Sequence, residues 1–307
     1  MPNNVICFGN LVLDVLVRQI EKLPKIDEIT FVDQIEFSIG GNAGNTAVAL
    51  KKLGLEPLLT SRLGDDLQGD LILNKLSSLE LNAENLKTLK KIESQRTAIT
   101  ISAVRENGDR SFIHKPGASR TSRVEDVTDD TLVKAKHLHF SGLSLLPQIN
   151  AKSAKSLLQK AKRFDLETSY DTVFSQDNDW KGRILQLLPV VDYLFLNKPE
   201  ARKLTQVDEV ENMVAVLQDE GAENVIVKLG EEGSFVSTKD MSFHIPGFSV
   251  EAVDTTGAGD AFCAGFIAGK TKGWGVEKTT RLANWLGAQS TKSFGTETGV
   301  EDWEENF

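Results

Sequence analysis

Asp254-Thr255-Thr256-Gly257-Ala258-Gly259-Asp260-Ala261-Phe262-Cys263-Ala264-Gly265-Phe266-Ile267-Ala268-Gly269 carries the most information in the chain. It passes from the end of a strand, through two glycines, into a helix of small and apolar residues. Gly257 and Gly259 allow a tight turn and a close backbone approach to a ligand. The helix start at Ala258–Asp260 offers free N–H groups and the positive end of its dipole. Gly257, Ala258 and Gly259 therefore read as an anion hole for a phosphate and for the charge that develops as it moves. Asp260 stands at the same place, where a carboxylate can take the proton of an attacking hydroxyl. An ordinary aspartate pKa of about 3.9 is adequate for that task, because phosphoryl transfer asks mainly for positioning and charge stabilisation. The structural alternative makes Asp260 a helix cap, a role Asp favours, and the glycines a plain turn. Ala264 to Thr271 also fits a relaxed P-loop pattern, but a P-loop opens a helix after a strand. Here the stretch is the apolar back half of a helix, with Gly269 as its C-terminal stop.

Outward from this segment, strands alternate with helices. Val5 to Gly9 reads as a buried strand, and Asn42 onward as a helix closed by Gly54. Pro57–Ser61, His137–Ser141, Leu166–Asp171, Val190–Leu196 and Asn224–Leu229 read as strands. Leu67–Leu79, Ala151–Arg163, Trp180–Leu188 and Val207–Glu220 read as helices, the last stopped by Gly221. Such alternation predicts an α/β fold with three layers: a doubly wound, mostly parallel sheet covered on both faces. Two segments, 12–38 and 95–115, hold consecutive strands with no helix between them. Arg96–Arg105 and Arg110–His114 form a hairpin across Glu-Asn-Gly-Asp. These segments predict a small separate β-sheet, a lid on a single domain of residues 1–307; an antiparallel edge of the main sheet is the alternative. Residues 233–250 read as a further hairpin.

Composition is that of an ordinary globular chain, with 307 residues, 40% hydrophobic and 26% charged, and a formal net charge of −9. No long basic run stands out, so neither nucleic acid nor an anionic membrane is expected as a partner. Cys7 and Cys263 sit in apolar surroundings and read as buried thiols, with no disulfide framework or Cys/His metal spacing. The opening Met-Pro-Asn-Asn-Val-Ile-Cys lacks the marks of a signal peptide, and no apolar run approaches the ~18 residues of a membrane span. A cytoplasmic location is expected. His114, His137, His139 and His244 fall in strand-like segments and read as core or strand residues.

The Asp-Thr-Thr-Gly-Ala-Gly-Asp string resembles the C-terminal signature of the ribokinase-like (PfkB) carbohydrate kinases. Other landmarks of that family recur in order: Gly40-Gly41-Asn42-Ala43-Gly44-Asn45, Asn197-Lys198-Pro199-Glu200, and Lys228-Leu229-Gly230-Glu231-Glu232-Gly233. The resemblance spans nearly the whole chain and implies an ATP-dependent sugar kinase with Asp260 as base. It implies that Asp14 binds two hydroxyls of the acceptor, that Gly40 and Gly41 hinge the lid, and that Asn45 contacts the sugar. Asn197 and Glu200 would help place Mg²⁺, often through water; the alternative is a helix start with Pro199 in its first turn. Lys228, Gly230 and Gly233 would meet the nucleotide phosphates, and Asn284 would lie near the adenine. Asp254, Thr256, Ser290, Ser293 and Gly295 would hold a monovalent cation, which implies K⁺ activation. A homodimer through the apolar face of the lid is expected.

The acceptor is left open. Fructokinases of the family usually carry a proline inside the di-glycine motif, where Ala43-Gly44 stands. Ribokinases usually carry a lysine after the two glycines, where Asn42 stands. A free sugar, fructose or ribose, is the first expectation and a nucleoside the second. A phosphosugar is third, with Lys115 and Arg120 as the only nearby cations for a second phosphate. A catalytically silent binding or regulatory protein on the same fold is the alternative of a different class. A nicotinamide-dependent oxidoreductase would need a glycine fingerprint that Gly9-Asn10-Leu11 does not supply.

Overall fold

A computed structural model describes residues 4–18, 20, 25–105, 110–175, 179–292, 303 and 307. The strands, in chain order, are Asn4–Phe8 (β1), Val12–Arg18 (β2), Gln34–Gly40 (β3), Glu56–Thr60 (β4), Arg62–Gly64 (β5), Lys90–Ile92 (β6), Ile99–Val104 (β7), Arg110–Lys115 (β8), His137–Ser141 (β9), Glu167–Asp171 (β10), Tyr193–Asn197 (β11), Asn224–Lys228 (β12), Ser234–Ser237 (β13) and Ser242–Ile245 (β14). The helices are Asn42–Lys52 (α1), Leu67–Ser78 (α2), Ala83–Leu86 (α3), Asp129–Leu132 (α4), Ala151–Arg163 (α5), Trp180–Leu185 (α6), Lys198–Thr205 (α7), Val210–Asp219 (α8), Ala258–Thr271 (α9) and Val276–Ser290 (α10).

The main sheet has eight strands in the order β14-β13-β12-β11-β10-β9-β1-β4. From β4 to β12 every pairing is parallel, and β13 and β14 form an antiparallel hairpin at one edge. The runs of β1, β11 and β12 are largely apolar because both faces are covered, while β9 and β10 bury the polar His137, His139, Thr168 and Ser169 among them. Ile6 and Phe8 point to one face with Phe140, Tyr170, Leu194 and Val227, against α5, α6, α7 and α8. Val5 and Cys7 point to the other, against α1, α2, α9 and α10. Beside them Phe195 and Tyr193 pack on Phe266 of α9, each ring 5.1 Å from it. Among the described residues no helix is long and apolar enough to cross a membrane.

The separate small sheet has the order β3-β2-β7-β8. Its strands come from the two segments that interrupt the alternation, and β7 and β8 pair as an antiparallel hairpin. The turn expected at Glu106–Asp109 lies outside the described residues. On one face Ser38, Asp14, Thr100 and His114 stand in one row across the four strands. On the opposite face the row is Phe37, Val15, Ile101 and Ile113, of which Phe37 is 47% and Ile113 60% exposed.

Four local expectations are corrected. The helix expected over Val207–Glu220 contracts to Val210–Asp219 (α8), and α7 before it is ended by Gln206 in the left-handed conformation (φ 61°). Pro199 in the first turn of α7 had marked that start. The strand expected at Val190 begins at Tyr193, after a 3₁₀ turn at Leu188–Val190. Trp180–Leu188 likewise contracts to Trp180–Leu185 before that turn. Gly269 does not end α9, which continues to Thr271 with Gly273 (φ 74°) following. A Cβ on Gly269 would lie 2.8 Å from Thr279 Oγ1, and one on Gly265 2.9 Å from Ala283 Cα, so these glycines let α9 and α10 pack closely. That also places Ala264–Lys270 inside a buried helix, as the rejection of a P-loop requires.

Candidate active site

A cleft of about 560 Å³ opens between the lid row and the start of α9. Asp14, Thr100 and His114 line it from the lid, Asn42 and Asn45 from α1, and Thr256, Gly257 and Asp260 from the signature string. The site lies at the carboxyl ends of the parallel strands, where open α/β sheets bind ligands.

Asp260 is in the first turn of α9 and is 6% exposed. The helix is capped by Gly257 in the left-handed conformation (φ 77°), with no side-chain capping bond, so the capping role for Asp260 is overturned. Its carboxylate instead accepts Asn42 Nδ2 on Oδ1 (2.9 Å) and Asn45 Nδ2 on Oδ2 (2.7 Å). Burial pushes the carboxyl above its ordinary range, against the pull of Asn45, Asn42 and the charge of Lys228. The ordinary pKa expected of Asp260 is therefore not what this carboxyl has. The N–H groups of a first helical turn have no intrahelical acceptor. Of the expected anion-hole residues, Ala258 donates its N–H back to Thr255 O at 3.3 Å; Gly259 and Asp260 follow it in the first turn.

Asp14 is 9% exposed in the middle of the lid row. A Cβ on Gly40 would overlap its carboxyl, so glycine there is a matter of space for Asp14. Burial raises Asp14 to about 7, opposed by the Thr100 hydroxyl and assisted by the charges of Asp254 and Asp260. Gly41 (φ 84°) caps α1. Asn45 lines the cleft and is 6% exposed, and its buried Oδ1 has no hydrogen-bond partner.

Asn197 and Glu200 form a reciprocal capping box on α7: Asn197 Oδ1 accepts Glu200 N–H (2.8 Å) and Glu200 Oε2 accepts Asn197 N–H (3.0 Å). Glu200 also accepts the Thr172 hydroxyl (2.7 Å) and the Phe174 N–H (3.0 Å). Both its oxygens are thus engaged, and neither Asn197 nor Glu200 lines the cleft. Lys228 donates to Asp171 Oδ1 at 2.7 Å. Burial opposes its charge, yet Asp171 holds the ammonium above its ordinary range. Gly230 (φ 67°) and Gly233 (φ 96°) shape the turn from β12 into β13. Asn284 donates to Ile245 O (3.0 Å) and Pro246 O (3.3 Å), tying α10 to the end of β14.

Asp254 Oδ1 accepts Thr256 N–H (2.9 Å), and Asp254 N–H donates to Thr291 O (3.0 Å). Ser290 donates to Gly287 O. Ser293 and Gly295 lie outside the described residues. Among the described residues no group of three or more His, Cys, Asp or Glu side chains is placed to hold a metal ion. His137 and His139 are buried in β9 and share Ser169 Oγ (2.7 and 2.8 Å); burial, His137 and Lys228 lower His139 to about 3. His244 meets Glu232 O. His114, read as an ordinary strand residue, lines the cleft and pairs with the Thr100 hydroxyl at 3.0 Å.

Sequence reasoning missed Asn42 and Asp171 as parts of this constellation. Asn42 had a signal, since it lies inside the di-glycine string. Asp171 had only its place at a strand end. Arg120 lines the cleft; Lys115 stands on the other lid face, in the row of Ile99.

Residues 2–303 match the sequence profile described as pfkB family carbohydrate kinase. The chain is 31% identical over 284 residues to an ATP-dependent ribose-1-phosphate kinase of Halopiger xanaduensis, covering 92% of this chain and 90% of that one. It is 29% identical over 281 residues to fructokinase-2 of Oryza sativa subsp. japonica, covering 88% and 81%. Its fold is similar to that of a Vibrio cholerae fructokinase crystallised with fructose, ADP and calcium, with a TM-score of 0.82, 21% identity and coverage of 99% and 97%. The string that opens α9, the di-glycine entry to α1 and the small sheet over the strand ends thus occur together in a chain that belongs to the pfkB family of carbohydrate kinases.

Proposed function

We propose that this ATP-dependent sugar kinase transfers the γ-phosphate of ATP to a hydroxyl of a free small sugar, with fructose or ribose as first acceptors. One observation carries the reading: Asp260, held by two amides at the start of α9, faces the same cleft as Asp14. Asp14 accepts two acceptor hydroxyls, and Asn45 makes a third contact. The reacting hydroxyl lies against Asp260, which takes its proton as the phosphoryl group arrives. The N–H groups at the start of α9 meet the negative charge that builds on the transferred group. Lid closure over the cleft excludes water and limits ATP hydrolysis. Turnover rising with fructose or ribose, and disappearing in Asp260→Asn, is the expected result. ADP formation at one rate with and without every acceptor would overturn the reading.

Mg²⁺ fits as an ion that arrives on the nucleotide phosphates and keeps its waters. The engaged oxygens of Glu200 suit a role through water and not direct ligation. When bound, the ion neutralises phosphate charge. Gly230, Gly233 and Asn284 remain the proposed nucleotide side, with Asn284 shaping the pocket through the carbonyls it holds. Asp254, Thr256 and Ser290 are the described part of the proposed K⁺ site; equal rates in K⁺ and in a non-binding buffer cation would dismiss it. The names of the rice and Vibrio proteins support fructose.

A second reading, a phosphosugar acceptor, has Arg120 in its favour, because that residue lines the cleft. The name of the ribose-1-phosphate kinase points the same way. A nucleoside acceptor is the remaining alternative. A panel of fructose, ribose, ribose 1-phosphate, fructose 6-phosphate and nucleosides separates the three. The exposed row of Phe37, Ile101 and Ile113 supports a homodimer through the lid. A cytoplasmic enzyme without nucleic-acid partners completes the reading, in keeping with the net charge of −9.

A further inference from the structure

Lys228 closes β12 and Asp171 closes β10, with β11 between them. The Lys228 side chain crosses the end of β11 to reach Asp171 Oδ1 at 2.7 Å, and the two side chains are 15% and 4% exposed. Its Nζ is also 4.0 Å from Cys263 Sγ and 3.1 Å from the place a Cβ on Gly259 would occupy. Gly259 and Cys263 are about one turn apart on α9, so the ammonium lies beneath the opening turns of that helix. Neither Lys228 nor Asp171 lines the cleft.

The groups that face Asp260 from the surrounding elements are Lys228 of β12, Asp171 of β10, Asp14 of β2, Cys263 of its own helix, and the neutral amides of Asn42 and Asn45. Lys228 is the only cation in that described set, against the carboxylates of Asp260, Asp171 and Asp14, with Asp254 near Asp14 and Glu200 near Asp171. An isolated lysine so largely removed from water tends to shed its proton. Asp171 prevents that and fixes the ammonium in place.

We propose that Lys228 is a buried counter-ion of the reaction, clamped by Asp171 under the start of α9, offsetting the negative charge that gathers at Asp260 and the transferred phosphoryl group without touching the nucleotide. This rests on the reading of Asp260 as the base. It assigns Lys228 a place in the field of the site, where the sequence suggested a nucleotide contact, and it gives Asp171 a positioning role.

The test compares K228M, K228R, D171N and D260N with the parent enzyme, using MgATP and fructose, or ribose if it turns over faster. Turnover at saturation, its pH profile, ATP affinity by calorimetry and thermal unfolding are read for each. K228M should lower kcat on the order of 100-fold, with ATP affinity held within about threefold. Its acid limb should move up by roughly one pH unit, and that of D171N should move in the same direction, because without Asp171 the lysine sheds its proton and the positive charge facing Asp260 is lost. K228R should recover most of the turnover. A tenfold loss of ATP affinity in K228M with kcat preserved would make Lys228 a nucleotide ligand and overturn the proposal. Loss of kcat in both variants with unmoved acid limbs would reduce the pair to packing. If K228M does not fold, the direction of the D171N shift decides alone. Full activity in D260N is a different failure, that of the base itself.

Discussion

Asp260 is buried and doubly held, and both facts bear on how it works. The amides of Asn42 and Asn45 keep its oxygens in place, while burial resists its ionisation. Asp260→Asn should lower kcat by at least about 10³-fold, in the upper range for losing a general base, and leave the melting temperature no lower, since the variant removes a buried charge. A variant that fails to fold but keeps its activity per folded molecule would contradict that. A base must be ionised, so kcat falls as pH drops through the folded pKa, which lies above the usual aspartate value of about 3.9. The acid limb should therefore lie above that of an exposed aspartate; a limb at or below about 4 would contradict it. Asp14 is raised to about 7, above its unfolded value. Its charge then costs the empty enzyme stability above pH 7, and the cost fades as pH falls toward the unfolded pKa. Asp14→Asn should raise the melting temperature at pH 8 and leave it unchanged near pH 4. The same variant should raise acceptor KM strongly with little change in the KM for ATP. The signature string was legible from sequence because a strand end, a glycine turn and a helix start are local features. The bonds from Asn42 and Asn45 to Asp260 were not, because they span more than two hundred positions and depend on the packing of α1 against α9.

At the scale of elements, α9 does two tasks. Its first turn faces the cleft, and its later glycines admit α10. Gly265→Val would force Ala283 and Leu286 away and should cost roughly 1–3 kcal/mol, seen as a lower denaturation midpoint with an unchanged acceptor KM. A midpoint equal to the parent's would show that the helices do not depend on that contact. The alternation of strands and helices was readable because most of the buried parallel strands, such as β1, β11 and β12, are nearly continuous apolar runs. The break between α7 and α8 was harder, since it turns on one left-handed residue, Gln206, of a type that rarely marks such a stop. Asn197 and Glu200 show that a capping pattern and a family motif coincide in one sequence. The structure displays the cap directly.

At the scale of the molecule, the lid brings Asp14 over the strand ends and leaves Phe37, Val15, Ile101 and Ile113 on its far side. Sedimentation at micromolar concentration should give twice the chain mass of 33.7 kDa, and Ile113→Glu should return it to the monomer. A monomer in the parent protein would remove the lid interface. That a separate small sheet exists was legible from two stretches of consecutive strands with no helix between them. Which side chains share its inner row was not, because register is fixed by pairing and not by local pattern. The most direct test of the account is acceptor-dependent ADP formation with MgATP across the sugar, phosphosugar and nucleoside panel, run in parallel with Asp260→Asn. The account predicts one strongly preferred sugar whose turnover vanishes in the variant. ADP release independent of every acceptor, or equal in parent and variant, would contradict it.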